Sequence, residues 1–290
     1  AITTTATSNI GLGANAVNSI TTGDYNVGVG DNAGTAITSG GDNTIVGYLS
    51  SAAITTGADN VSFGSTSLYT NSTGSGNAAF GSNALKLTTS SDNTGIGRSA
   101  LEDNTSGSDN TAVGKNALAN NTTASNNTAI GKSALTANTT GTQVTAVGKG
   151  SLQANTTGND NNAFGVNALL VNTTGWGNAA FGVAALDANT TGTKNISVGG
   201  YSLTANTTGA SNTAVGYDAL GGNTTGGSNV AVGKAALTAN TTGTANVGIG
   251  VAVLDANTTA SYNTGLGHEA LSANTTGTRN TALGALSLDA

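Results

Sequence analysis

Apolar residues fall in two short clusters that return at a fixed interval along the chain, with polar residues between them. The marker of the interval is a glycine that closes each copy of Asn-x-small-apolar-Gly, as in Asn110-Thr111-Ala112-Val113-Gly114. It recurs every 17 residues from Gly13 to Gly81 and from Gly97 to Gly284, with a single step of 16 between Gly81 and Gly97. A fixed period over a whole chain is the signature of a repeat architecture and outranks any local reading of helix or strand. With the glycine as position 1, positions 15 to 17 form the first apolar cluster. The run is short, mostly β-branched at its ends and bounded by Asn and Gly, which predicts a strand.

Position 17 is always Val, Ile, Leu or Phe, and all four phenylalanines stand there. Position 16 is Ala, Gly or Ser in every copy but one. Side chains alternate across a strand, so positions 15 and 17 share one face. Bulk at position 17 predicts that this face is the interior, with Val113, Ile130, Val147, Phe164 and Phe181 in one core column. Position 16 then faces outward. A file of small residues there, Ala112, Ala129, Ala146, Ala163 and Ala180, predicts a second surface at close range, because an outward strand position would otherwise drift to larger polar residues.

Positions 4 and 5, usually Ala-Leu, form the second cluster and predict a further core column through Leu118, Leu135 and Leu152. Positions 8 to 11 read Asn-Thr-Thr-Gly, a polar turn whose glycine is expected to supply a positive φ. Early copies carry Ile20, Ile37 and Ile54 in the slot of the first Asn. A slot that accepts Ile faces inward, so Asn121, Asn138, Asn155 and Asn172 are expected to form an amide ladder. In the short copy, matching Thr88-Thr89 to the usual Thr-Thr puts Leu87 in the Asn slot and the missing residue near 86–87.

The fold expected is therefore all-β: one repetitive domain over 1–290, a parallel β-solenoid of about 17 coils. Charged residues make up 8% of the chain, and Cys, Pro and Met are absent. Packing and backbone hydrogen bonds must then hold it together. The net charge is −6 with eight Lys and Arg in total, which argues against nucleic acid as a partner. No apolar run is long enough to insert this segment in a membrane. The chain does not begin with Met, which is expected of a mature or truncated piece of a longer protein. The lack of cysteine fits an extracellular, cell-surface or virion setting.

The repeat now carries a resemblance. Asn127-Thr128-Ala129-Ile130-Gly131-Lys132-Ser133-Ala134-Leu135 resembles the head repeat of YadA-type trimeric autotransporter adhesins. The spacer Asn206-Thr207-Thr208-Gly209 resembles repeats of phage tail-fibre proteins. The resemblance implies a left-handed β-roll with three chains bundled about one axis, here with a longer turn than the adhesin repeat has.

Candidate chemistry is sparse. His268 and Glu269 stand at positions 2 and 3, where other copies have Lys115, Lys132, Lys149 and Lys234, and this reads as a solvated edge. Glu102, Asp187 and Asp255 share position 6 but lie copies apart, too far for paired carboxylates. No metal, cofactor or catalytic group is expected, and the chain is not read as an enzyme. Asn-Thr-Thr matches a glycosylation sequon, with the structural ladder as the competing reading. Trp176, Tyr201, Tyr217 and Tyr262 read as exposed aromatics able to touch sugar. The function expected is the structural rod of an extracellular or virion fibre serving attachment, as adhesin head or tail-fibre shaft. Its partners would be two further copies of itself and a host-surface protein or glycan. The alternative is a single-chain solenoid presenting a Thr/Asn ladder to glycan or ice.

Overall fold

A computed structural model describes residues 6–289. The chain is a parallel β-solenoid with no helix among the described residues. The coils group into two compact units, Ala1–Gln143 and Val144–Ala290. The first unit contains eight described strands of three residues, from β1 (Ile10–Leu12) to β8 (Thr128–Ile130). The second contains nine, from β9 (Thr145–Val147) to β17 (Thr281–Leu283).

Within each unit every strand pairs in parallel with the next in sequence, and the register is the repeat itself. Thr111 stands opposite Thr128, Ala112 opposite Ala129 and Val113 opposite Ile130. In the second unit Asn162, Ala163 and Phe164 stand opposite Ala179, Ala180 and Phe181. Like residues therefore stack on like, and the short copy does not break the rule. Ala78 to Phe80 pair in register with Thr94 to Ile96.

The interior of each coil lies between the middle of the strand and the Ala-Leu segment. Leu118, Leu135 and Leu152 are fully buried, as are Ala117, Ala134 and Ala168 at position 4. Position 16 is buried with them: Ala112, Ala129, Ala146, Ala163 and Ala180 have no exposed surface. The leucines reach their places with an unusual backbone. Leu118, Leu135 and Leu152 have φ of 51°, 53° and 48°. Left-handed backbone costs a non-glycine residue roughly 1–2 kcal/mol. Full burial of the Leu side chain offsets that, at about 1.5–3 kcal/mol.

Two glycine columns have different causes. The corner glycine at position 1 has φ between 113° and 149°, a region in which other residues are strained. A Cβ on Gly114 would also lie 2.6 Å from the Gly131 carbonyl oxygen. The glycine of Asn-Thr-Thr-Gly does not have a positive φ, contrary to the turn reading above. It is small because the next coil lies close, with the Gly192 oxygen 2.4 Å from where a Gly175 Cβ would stand. Ala124 and Ala260 fill the same place in two coils.

Candidate functional site

The strand faces are the reverse of the sequence expectation. Phe164 is 38% exposed, Phe181 40% and Ile130 41%, while Val113 and Val147 are half-buried. None of these five belongs to the coil's own core. Ala112, Ala129, Ala146, Ala163 and Ala180, expected on an outer surface, lie inside instead. The reason is space. In the Leu-bearing coils the Leu at position 5 fills the interior and leaves position 16 room for a methyl group. At Gly95 an added Cβ would meet Leu85 Cγ at 3.2 Å, and at Gly248 it would meet Leu237 Cδ1 at 3.4 Å. Bulk at position 17 has nowhere to go but out.

One coil shows the same volume rule from the other side. Ile45 is the exception at position 16, and the coil that holds it has Gly34 where Leu would be. A Cβ on Gly34 would lie 2.8 Å from Ile45 Cδ1. The next coil replaces both bulky groups with hydroxyls. Ser50 and Ser51 each bond to Ser62, Oγ to Oγ, at 2.7 and 2.8 Å. The Gly34 and Ile45 exchange is visible in the sequence and is the signal that places position 16 inside.

The outward face is an apolar column in each unit. In the first it runs through Phe63, Phe80, Ile96, Val113 and Ile130. In the second it runs through Phe164, Phe181, Val198, Val215, Ile249 and Leu266. The rings of Phe63 and Phe80 stack with centroids 5.3 Å apart and planes within 5°. Rungs above and below cover much of each side chain, so the remaining exposure is the side that faces away from the coil.

The turn asparagines are buried and bonded along the stack. Asn121 Nδ2 donates to Asn104 Oδ1 at 2.8 Å, and Asn138 Nδ2 donates to Asn121 Oδ1 at 3.0 Å. In the second unit Asn172 Nδ2 donates to Asn155 Oδ1 at 2.9 Å. Each also closes its own turn: Asn121 Nδ2 donates to the Ala124 carbonyl at 2.9 Å and Asn155 Nδ2 to the Gly158 carbonyl at 3.0 Å. Ile20, Ile37 and Ile54 stand in the same slot, packed with Ala33 and Ile45. In the short coil Thr88 fills this slot, accepting from Asn104 Nδ2 at 3.1 Å. The missing residue therefore lies between Thr89 and Ser90 in the turn, not near 86–87, and Leu87 stays outside the slot.

A second amide ladder was not foreseen. The Asn of the Asn-x-small-apolar-Gly motif is buried too. Asn195 N–H donates to Asn178 Oδ1 at 3.0 Å, and Asn195 Nδ2 donates to the Gly209 carbonyl at 2.8 Å. Its recurrence just before the strand was the available sign. No buried side-chain nitrogen or oxygen among the described residues lacks a hydrogen-bond partner.

Titratable groups stay at the rim. His268 Nε2 lies 3.6 Å from Glu269 Oε1, and Lys86 Nζ lies 3.9 Å from Glu102 Oε1. Burial pushes the Asp255 carboxyl up, with Glu269 and Asp289 adding to it and backbone N–H groups of Asp255 and Ala256 opposing it. Lys194 Nζ sits 4.7 Å from the Trp176 ring centroid, and Tyr201 meets Tyr217 edge-on at 5.7 Å. No cluster of three or more metal-ligating side chains is present among the described residues, and no helix there is long and apolar enough to cross a membrane. No protein-family model matches the chain, and no curated protein matches it significantly.

Proposed function

We propose that this chain is the repetitive shaft of an extracellular or virion fibre, a left-handed β-roll in which three copies associate through the position 15 and 17 face. The observation that carries the reading is the outward apolar column. Proteins that work alone rarely expose contiguous apolar surface beyond a few hundred Å². Here every coil contributes a Val, Ile, Leu or Phe at position 17, without one charge in the file. A partner covering such a face must present apolar surface with the same 17-residue rhythm. A copy of the same chain does so, and rotation about an axis parallel to the stack makes the contacts equivalent.

Attachment is the role this implies: reach from a surface, with receptor contact from loops or flanking segments. A single chain presenting a Thr/Asn ladder is the weaker alternative. The Asn slots are buried, and the first Thr of the turn is engaged, Thr122 Oγ1 donating to the neighbouring Thr139 carbonyl at 3.1 Å.

Mass in solution tests the proposal. Native mass spectrometry should give three times the chain mass of 27.7 kDa. The Phe164→Glu/Phe181→Glu variant should lose the trimer while keeping its strand circular dichroism. A folded wild-type monomer at micromolar concentration overturns the reading.

A further inference from the structure

Position 2, the residue after the corner glycine, is where positive charge gathers. Arg98, Lys115 and Lys132 occupy it in three consecutive coils of the first unit, in a chain with eight basic residues and a net charge of −6. Their rungs are adjacent. Asn116 N–H donates to the Arg98 carbonyl at 3.0 Å, and Ser133 N–H donates to the Lys115 carbonyl at 2.9 Å. The three side chains are exposed, and neither ion pair among the described residues, Lys86 with Glu102 and His268 with Glu269, involves them. Strand spacing of about 4.8 Å sets like charges side by side, where they repel. The fold does not require them: the two preceding coils carry Ser65 and Ser82 at this position.

The backbone supplies a second, independent observation. At position 2 of an earlier coil, Ala14 N–H donates to Asp31 Oδ1 at 3.0 Å, so an anionic oxygen from outside the core seats on this amide. In the coils of Arg98, Lys115 and Lys132 no protein acceptor takes the corresponding N–H among the described residues. Each rung thus offers a cation and, beside it, an N–H of the kind that the next coil's carboxylate takes at Ala14.

We propose that the Arg98–Lys115–Lys132 column binds successive sulfate or phosphate groups of a linear anionic polysaccharide lying along the stack. A single file of charges fits one thread. Duplex nucleic acid is held by a broader array of about 6–10 phosphate contacts. Single-stranded nucleic acid wants aromatic platforms, whereas the strand residues beside this column are Thr94, Ile96, Thr111, Val113, Thr128 and Ile130.

The test is a binding titration of the whole chain at low and physiological salt. The probes are dextran sulfate, a phosphorylated mannan, uncharged dextran, duplex DNA and oligo(dT). Binding to dextran sulfate or to the mannan, but not to dextran, is expected, and the stronger of the two names the anion. Arg98→Ser/Lys115→Ser/Lys132→Ser should weaken that binding at least about tenfold and flatten its salt dependence. Circular dichroism should not change, and melting should not fall, since the variant removes like-charge repulsion. Lys194→Ser, at another position in the other unit, should leave affinity unaltered. Full affinity in the triple variant, no binding to either anionic polysaccharide at low salt, or equal binding and equal loss with either nucleic acid would each overturn the proposal.

Discussion

The ring of Phe164 lies parallel to the ring of Phe181, centroids 5.0 Å apart and planes within 7°, on the outside of the coil. One residue earlier in each strand, Ala163 and Ala180 are sealed inside. Adjacent residues of one strand thus divide the work of holding a coil together and of meeting whatever lies outside it.

Substitutions at these neighbours should separate the two roles. Ala163→Glu puts a carboxylate into a space fit for a methyl group and should unfold its coils, because an unpaired buried charge costs several kcal/mol. Phe164→Glu leaves the coil interior untouched and should keep the strand spectrum of the wild type. Circular dichroism with thermal melting tells these outcomes apart. Equal melting of both variants would contradict the burial described here.

The amide ladder can be cut at one rung. Asn172 donates to Asn155 Oδ1 and to the Gly175 carbonyl, both at 2.9 Å, and accepts from Asn189 Nδ2 at 2.8 Å. Asn172→Ala removes these bonds and strands buried partners, which should cost about 2–4 kcal/mol. Denaturant titration or hydrogen exchange of the flanking coils would read it. The same burial predicts that folded protein exposed to a glycosylating system carries no sugar on Asn138 or Asn172, as intact mass would show.

The two glycine columns should respond differently. Gly182→Ala meets both a φ of 149° and the Gly199 carbonyl oxygen 2.4 Å from the new Cβ. It should cost more than about 3 kcal/mol, the backbone strain adding to the clash. Gly175→Ala meets no positive φ, only crowding from Asn172 Oδ1 and the Gly192 oxygen, each 2.4 Å away, and Ala124 and Ala260 already fill that position. Its cost should be smaller, and melting temperatures of the pair would show the order.

Acid should help one carboxylate. The folded-state pKa of Asp255 is raised above 3.8, chiefly by burial. The folded chain therefore holds this proton more tightly than the unfolded chain. The stability it contributes is present below the unfolded value and is lost as pH rises through the folded one. Asp255→Asn should stabilise the chain slightly at neutral pH, and the gain should vanish towards pH 3. Melting curves across that range check the sign.

The sequence was informative where the period was informative. Strand positions, the corner glycine, the buried Leu column and the parallel pairing all follow from residues that repeat at one spacing. What the period could not supply was the inside of the strand. Hydrophobicity alone assigns Phe164 to the interior and Ala163 to the surface. The opposite holds because the coil is too narrow for Leu169 and a phenylalanine together, a fact of volume. The exchange of Leu for Gly34 beside Ile45 carried that information. The placement of Thr88 was hidden for a related reason: similarity of residue type favoured Thr-Thr alignment, whereas the slot takes Ile, Asn or Thr, as Ile54, Asn104 and Thr88 show.

The direction of the amide ladders has a mechanical consequence. Asn138 holds Asn121, and Asn172 holds Asn155, along the line in which the coils succeed one another. The strand bonds and the Thr122 hydroxyl bond run the same way. Tension applied along that line loads these links in series, so the weakest rung yields while the others hold. Each coil that peels away frees 17 residues, or 16 in the short one, about 60 Å of extended chain. Under pull, a unit of this protein should lengthen as a staircase of small, equal steps and dissipate work at each one.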